Sequence, residues 1–283
     1  FCDIYGSPVK SYLYTLNTGY HRLKSTCKTT YQSSDSIVEK SVFAYDTERP
    51  YNIISKSSLC SGGAEQVERT YYSNNTIPDK ESLTTSQRSA IQLLTSRNYL
   101  TTPVQQTMEK KDKRLYSVLR GYSSSLSSGM VVEDQYYCKG TDKYEKRISY
   151  NKYDIYGNPV YINKDGAEKV VYLWGYKGQY LLAEIKGATY EEVKKALMVD
   201  PASMSSCILP SIPLYLDMID NLYKALPSAL ITSYTYHPLI GVSGIISPNK
   251  AKTTFEYNSD SQLIRIKDTE GKTMEEYQYH FRP

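Results

Sequence analysis

Apolar and polar positions alternate in short runs along most of the chain, and Asp, Asn, Gly and Pro divide the runs. The clearest case is Tyr153 to Gly175. There a strand ends at Tyr153, and a turn spans Asp154 to Asn158, with Gly157 free to take positive φ. A second strand carries Val160 and Ile162. Asp165-Gly166 is a tight corner of the kind that closes hairpins. A third strand places Val170, Tyr172 and Trp174 on one face and Val171 and Leu173 on the other. Cys2 to Val9 matches Tyr153 to Val160 at six of eight positions, which signals an internal repeat. Looser copies run from Tyr31 to Val38, followed by Val42, Ala44 and a turn at Asp46 to Pro50, and from Tyr257 to Ile264. The latter copy continues through a turn at Asp268 to Gly271 into a strand over 273–281. Further strands are expected at 229–237 and 242–246. The spacing is uneven, so the pattern predicts an irregular array of antiparallel β-hairpins with insertions.

Three stretches change period from 2 to 3.6. Leu83 to Arg97 sets Ala90, Ile91 and Leu94 on one stripe, with Thr84 or Thr85 as N-cap. Thr189-x-x-Glu192 is a capping box that opens a short helix with Val193, Ala196 and Leu197 inward. Ser211 to Leu226 repeats Tyr215, Met218, Ile219, Leu222 and Leu226 at helical spacing, with Pro213 in the first turn and Pro227 as the stop. The last two helices are expected to form a hairpin over one end of the sheet, with Asp200 to Pro210 as the loop between them. The resulting division is a divergent β-rich region, 1–146, with a helical insertion at about 83–97, and a repeat region, 147–283, with a helical insertion at about 189–226.

Composition sharpens the picture at one point. The 283 residues include 30 Tyr against 4 Phe and 1 Trp. An unpaired buried hydroxyl costs about 1–3 kcal/mol, so most of these groups must reach water or a partner. Tyr also favours strands, which suits an extended sheet with one partly wet face. The net charge of +4, from 34 basic and 30 acidic residues, is too balanced to imply a polyanionic partner. The basic run Lys110 to Arg114 is read as a solvated loop or edge strand, without nucleic-acid binding. Cys2, Cys27, Cys60, Cys138 and Cys207 are odd in number and widely spaced, which suits isolated thiols rather than a zinc site or disulfide framework. No stretch is long and apolar enough for a transmembrane helix, so no membrane insertion is expected. The chain starts at Phe1 and stops within a tyrosine-rich pattern, and it reads as a fragment of a longer protein.

Tyr153-Asp154-Ile155-Tyr156-Gly157, followed by Asp165-Gly166, resembles the Tyr-Asp (YD) repeat of Rhs-type proteins. Tyr172 to Tyr176, Tyr234 to Gly241 and Thr254 to Asp268 resemble the large Rhs/YD-repeat proteins of Bacteroidota in particular. The likeness is dense from about Arg147 to Phe281 and thin before it. It implies hairpins wound into a curved, twisted sheet or partial shell, in a secreted or cell-surface protein that encloses or displays another part of its own polypeptide. Some members of the family deliver a C-terminal toxin. The repeat glycine is replaced by Ser261 in the last copy, and Asp200-Pro201 lacks the glycines of the family's self-cleaving segment.

Candidate chemistry is sparse. His21, His237 and His280 stand apart from one another in sequence, and Glu191-Glu192 and Glu275-Glu276 are adjacent pairs that diverge on a helix or a strand. No phosphate loop or nucleophile elbow is present. No catalytic, metal or cofactor-binding residue is therefore assigned, and no cofactor. Tyr172, Trp174 and Tyr176 are the candidate ligand-binding residues, since aromatic faces suit sugar rings; the competing reading packs Trp174 under the helical hairpin. The leading expectation is a non-enzymatic scaffold whose partner is the rest of its own chain. The alternative is a glycan- or protein-binding surface module.

Overall fold

A computed structural model describes residues 21–32, 35–59, 63–125, 129–206 and 212–280. The Cys2–Val9 repeat copy, Cys60, Cys207 and Phe281 lie outside the described residues. Sixteen strands form one sheet in which every strand pairs with its sequence neighbours, and every pairing is antiparallel. In chain order they are β1 Ser25–Gln32, β2 Asp35–Tyr45, β3 Ile53–Leu59, β4 Glu65–Tyr72, β5 Pro103–Lys110, β6 Lys113–Ser123, β7 Val131–Lys139 and β8 Glu145–Tyr153. The second half comprises β9 Pro159–Lys164, β10 Glu168–Gly175, β11 Tyr180–Lys186, β12 Leu230–His237, β13 Gly241–Ile246, β14 Lys252–Tyr257, β15 Leu263–Lys267 and β16 Thr273–Glu276. The sheet is open, and β8 carries it without a break through residue 147.

The turn chemistry is that of the sequence. Asp165 and Gly166 both have positive φ, 47° and 73°, which closes β9 onto β10. Gly157 has φ 84°, and Asp154 organises the preceding turn, its Oδ1 accepting from the N–H groups of Tyr156 and Asn158. Asn258 does the same for Asp260 and Gln262.

Among the described residues three α-helices interrupt the strands: α1 Thr85–Ser96, α2 Tyr190–Leu197 and α3 Ile212–Ala225. Thr84 and Thr189 are N-caps with complete capping boxes, completed by Gln87 and Glu192. α1 buries Ala90, Ile91 and Leu94 against Leu119 of β6. α2 and α3 bury Val193, Ile219 and Leu222 against Val171, Leu173, Ala183, Ile185 and Ile231 of β10, β11 and β12. The helical hairpin thus lies on a face of the sheet, four strands in from the β16 edge, and not over one end. Its core is built from three consecutive strands whose buried inward positions are mostly aliphatic or Ala, with Ser233 of β12 set opposite Ala183 among them.

Several sequence expectations need correction. The segment after Asp200 is a 3₁₀ helix, Pro201–Ser206, rather than a loop, and it buries Pro201 and Met204. The last strand stops at Glu276, although the Tyr277 N–H still donates to the Ile264 carbonyl. Of the two readings of the basic run 110–114, the loop holds and the edge strand does not: Lys111 and Asp112, exposed and with φ 50° and 57°, turn the interior hairpin β5–β6. Arg114 folds back, its Nη1 2.6 Å from Asp79 Oδ2.

Candidate functional site: an aromatic clamp repeated across the sheet

The eight even-numbered strands share one device at or, for β16, three residues beyond their C-terminal ends. Tyr45, Tyr72, Tyr122, Tyr153, Tyr236, Tyr257 and Tyr279 each donate a hydroxyl proton to a backbone carbonyl at the start of the preceding strand or, for Tyr45, two residues before it. The acceptors are Leu23, Ile53, Pro103, Val132, Leu181, Val242 and Leu263, at 2.5–3.0 Å. Trp174 completes the set through Nε1, 2.8 Å from the Pro159 carbonyl oxygen. In each of the seven even-to-odd junctions the ladder shifts register immediately before the clamp aromatic. A bulge disrupts the ladder locally, and the ring donor supplies a hydrogen bond there. This is where many of the tyrosine hydroxyls go, and it explains why the aromatic is Tyr rather than Phe.

The register is regular. Tyr257 stands opposite Leu263, and Leu263 is also the residue whose carbonyl accepts from the next clamp, Tyr279. The same coincidence holds at Ile53, Pro103, Val132, Pro159, Leu181 and Val242. Each hairpin therefore sets the position of the next clamp.

The clamps lie on the face away from the helices where that face can be assigned. A Cβ on Gly121 would meet Gln87 of α1 at 2.4 Å, so Gly121 faces α1 and Tyr122 faces away. Lys152 reaches Asp200 and the Tyr190 ring on the helical side, leaving Tyr153 on the other. Leu173 packs in the helical core, so Trp174 points away from it. Trp174 is therefore not under the helical hairpin.

On this open face Val160, Ile162 and Val170 are almost fully buried, outside the two clusters that the described helices form with the sheet. Tyr150 and Tyr153 stack nearby with ring centres 6.1 Å apart. Burial pushes the Tyr122 phenol up to about 12, and burial followed by Glu184 does the same for Tyr172, to about 12. Tyr153 is also raised, first by burial and then by Tyr150 and Tyr122.

The candidate ligand-binding trio is divided between two surroundings. Tyr172 and Trp174 alternate with Leu173 and share the open face. Tyr176 takes φ 51° in the turn after β10 and packs against the helical core, its ring 5.0 Å from Tyr180.

On the helical face, sequence reasoning missed two polar clusters. Gln87, fully buried, donates from Nε2 to Glu133 and Asp134, each at 2.9 Å, and its Oε1 accepts from Tyr136. Asp134 also meets Ser149 Oγ at 2.8 Å and Lys146 Nζ at 2.9 Å. Asp79 accepts from Gln105, Arg114 and Tyr144. Burial, foremost, raises the Tyr144 phenol. These contacts join residues 12 to 65 positions apart, so local spacing carried no signal for them. Asp200 caps its 3₁₀ helix through the Ala202 N–H and accepts from Tyr190 OH. Burial opposes its charge, but Tyr190, Ala202, Lys152 and Lys194 together hold its carboxyl below the usual range.

A groove of about 870 Å³ lies between α1 and the loop before it, lined by Ser73, Ile77, Glu81, Arg88, Ile91 and Thr95. Arg88 and Glu81 pair within it at 2.6 Å. His237 stacks edge-on against Tyr257 at 6.2 Å. Among the described residues no group of three His, Cys, Asp or Glu side chains is placed to hold a metal ion, and no helix is long and apolar enough to cross a membrane. Cys27 is exposed and Cys138 is buried, its Sγ 2.8 Å from the Asp142 carbonyl oxygen.

No protein-family model matches the chain, and no curated protein does. Among solved structures it is similar to TcdB2-TccC3, at 12% identity and a TM-score of 0.37, over 81% of this chain and 12% of that one. The TcdB2-TccC3 structure without its hypervariable C-terminal region gives 9% identity and 0.35 over 88% and 11%. The Photorhabdus luminescens Tc holotoxin pore gives 11% and 0.32 over 81% and 12%. The chain spans about an eighth of the length of these proteins, and likenesses at this level carry no weight in assigning a function.

Proposed function

We propose that the chain is a non-enzymatic, YD-type hairpin-repeat scaffold, a segment of a larger secreted or cell-surface protein that encloses or displays another part of the same polypeptide. One observation carries this reading: the aromatic clamp recurs at or just beyond the end of each even strand, and its register is the same at the seven even-to-odd junctions. Such a device spends its conspicuous residues on joining hairpins rather than on chemistry. Limited proteolysis of the longer polypeptide tests it. A segment outside residues 1–283 should resist cleavage with the sheet intact and become sensitive when Tyr122→Phe and Tyr153→Phe loosen it. Equal cleavage in both forms would sink the proposal.

A second reading uses the open face as a glycan-binding surface through Tyr172 and Trp174, with Tyr176 at its margin. Its support is the uncovered aromatic face, and against it stands the commitment of the Trp174 N–H to Pro159. A glycan array without signal, or a Tyr172→Ala variant that binds as wild type, removes it.

A further inference from the structure

Among the described residues five arginines are not exposed: Arg49, Arg88, Arg114, Arg120 and Arg265. Four of them pair with a carboxylate, Arg49 with Glu48, Arg88 with Glu81, Arg114 with Asp79 and Arg265 with Glu276. Arg120 has no such partner among the described residues. Its Nη2 donates to Gln106 Oε1 at 2.9 Å, and its Nη1 is buried without an acceptor. Leu119 packs with α1 and Gly121 faces it, so Arg120, between them on β6, points to the open face. Gln106 on β5 and Gln135, directly opposite Arg120 on β7, are neutral. The Tyr122 phenol beside it supplies no counter-charge either. Burial outweighs the pull of Arg120 and pushes that phenol up to about 12, and its hydroxyl donates to Pro103. A guanidinium keeps its proton, and a charge taken out of water without a partner is costly.

We propose that Arg120 is the anchor on the open face for a carboxylate carried by the enclosed segment of the same polypeptide. This rests on the scaffold reading and gives it a site. The chemistry of the partner follows from charge: the anchor is a cation without an acid, and a guanidinium fork receives a carboxylate through directed, charge-assisted N–H bonds. Nη1 is the donor left for it once Nη2 is engaged by Gln106. Nη1 also lies within the side-chain layer of the sheet, so the carboxylate has to enter that layer rather than rest on it. A tethered segment presents its acid at high effective concentration, which offsets the cost of parting the layer. A free anion lacks that advantage, and an acidic stretch of polypeptide is therefore the occupant the site favours.

Limited proteolysis of the longer polypeptide, with Arg120→Met, provides the test. The segment protected in the wild type should be cleaved at least about tenfold faster in the variant, because one partner of a charge pair has been removed. In the 283-residue chain alone the same substitution should leave the thermal midpoint unchanged or raise it, since it removes an unpaired charge and keeps an apolar stem. Lys164→Met, in the same cross-strand row as Arg120 through Gln135 and Ile148, should change neither result. Once mass spectrometry has located the protected segment, converting its acidic residues to amides should speed its cleavage as much as Arg120→Met does. Protection that persists in Arg120→Met, or in the amide variant, overturns the anchor and leaves the scaffold reading standing. Equal loss of protection in Lys164→Met overturns it as well, as a general effect of charge. So does a lowered midpoint of the Arg120→Met 283-residue chain, which would make Arg120 a prop of the sheet. A wild-type polypeptide with no protected segment sinks both the anchor and the scaffold.

Discussion

At the scale of single residues, the clamp separates ring from hydroxyl. Tyr122→Phe and Tyr153→Phe keep the ring and strand the Pro103 and Val132 carbonyls. Each should lower stability by about 1–3 kcal/mol in urea unfolding. Tyr45→Phe and Tyr279→Phe, whose hydrogen bonds are exposed, should cost less than about 1 kcal/mol. An equal loss at all four sites would mean the hydroxyls do not act as clamps. Trp174→Tyr retains a donor where Trp174→Phe does not, so the first should be the more stable. Gly121→Ala drives a Cβ into the Gln87 amide at 2.4 Å and should cost about 1–3 kcal/mol by overpacking.

At the scale of elements, the helices are predicted to be dispensable to the hairpin rule but not to the sheet's inner face. Thr189→Ala removes the capping box of α2 and should cost about 1 kcal/mol. Leu222→Ala, at a fully buried position between α3 and the sheet, should cost about 2–5 kcal/mol. Thermal unfolding of the two variants checks both. The α2 capping box, the Asp165-Gly166 corner and the α1 stripe of Ala90, Ile91 and Leu94 were all legible in the sequence, because each is set within a few residues; at α1 the structure chose Thr84 over Thr85 as the cap and added Gln87 to it. The 3₁₀ helix at Pro201–Ser206 was not. Its cap, Asp200, is held by Tyr190 and by Lys152 from β8.

For the whole molecule, the raised tyrosines make stability fall in alkali. An unfolded phenol loses its proton near pH 10, while Tyr122, Tyr172 and Tyr236 hold theirs to about 12, burial being the first cause at each. Between pH 10 and 12 the folded chain binds more protons than the unfolded one, so stability falls as pH rises. Below pH 10 this contribution is fully present. The thermal midpoint should therefore drop steeply above pH 10, and the slope should flatten in the Tyr122→Phe variant. A flat midpoint from pH 9 to 12 would contradict the burial of these rings.

The sequence alone determined that hairpins follow one another, where they turn and which residues cap the helices, because turns, caps and alternation depend on neighbours in the chain. It also required that thirty tyrosines find water or partners, without saying which. The tertiary structure decided the rest. It put Trp174 on the open face, turned Arg114 inward to Asp79, and aimed each clamp at a carbonyl 15 to 55 residues away. Those contacts depend on which strands lie side by side and where each ladder bulges. Such facts are fixed only when the whole sheet assembles.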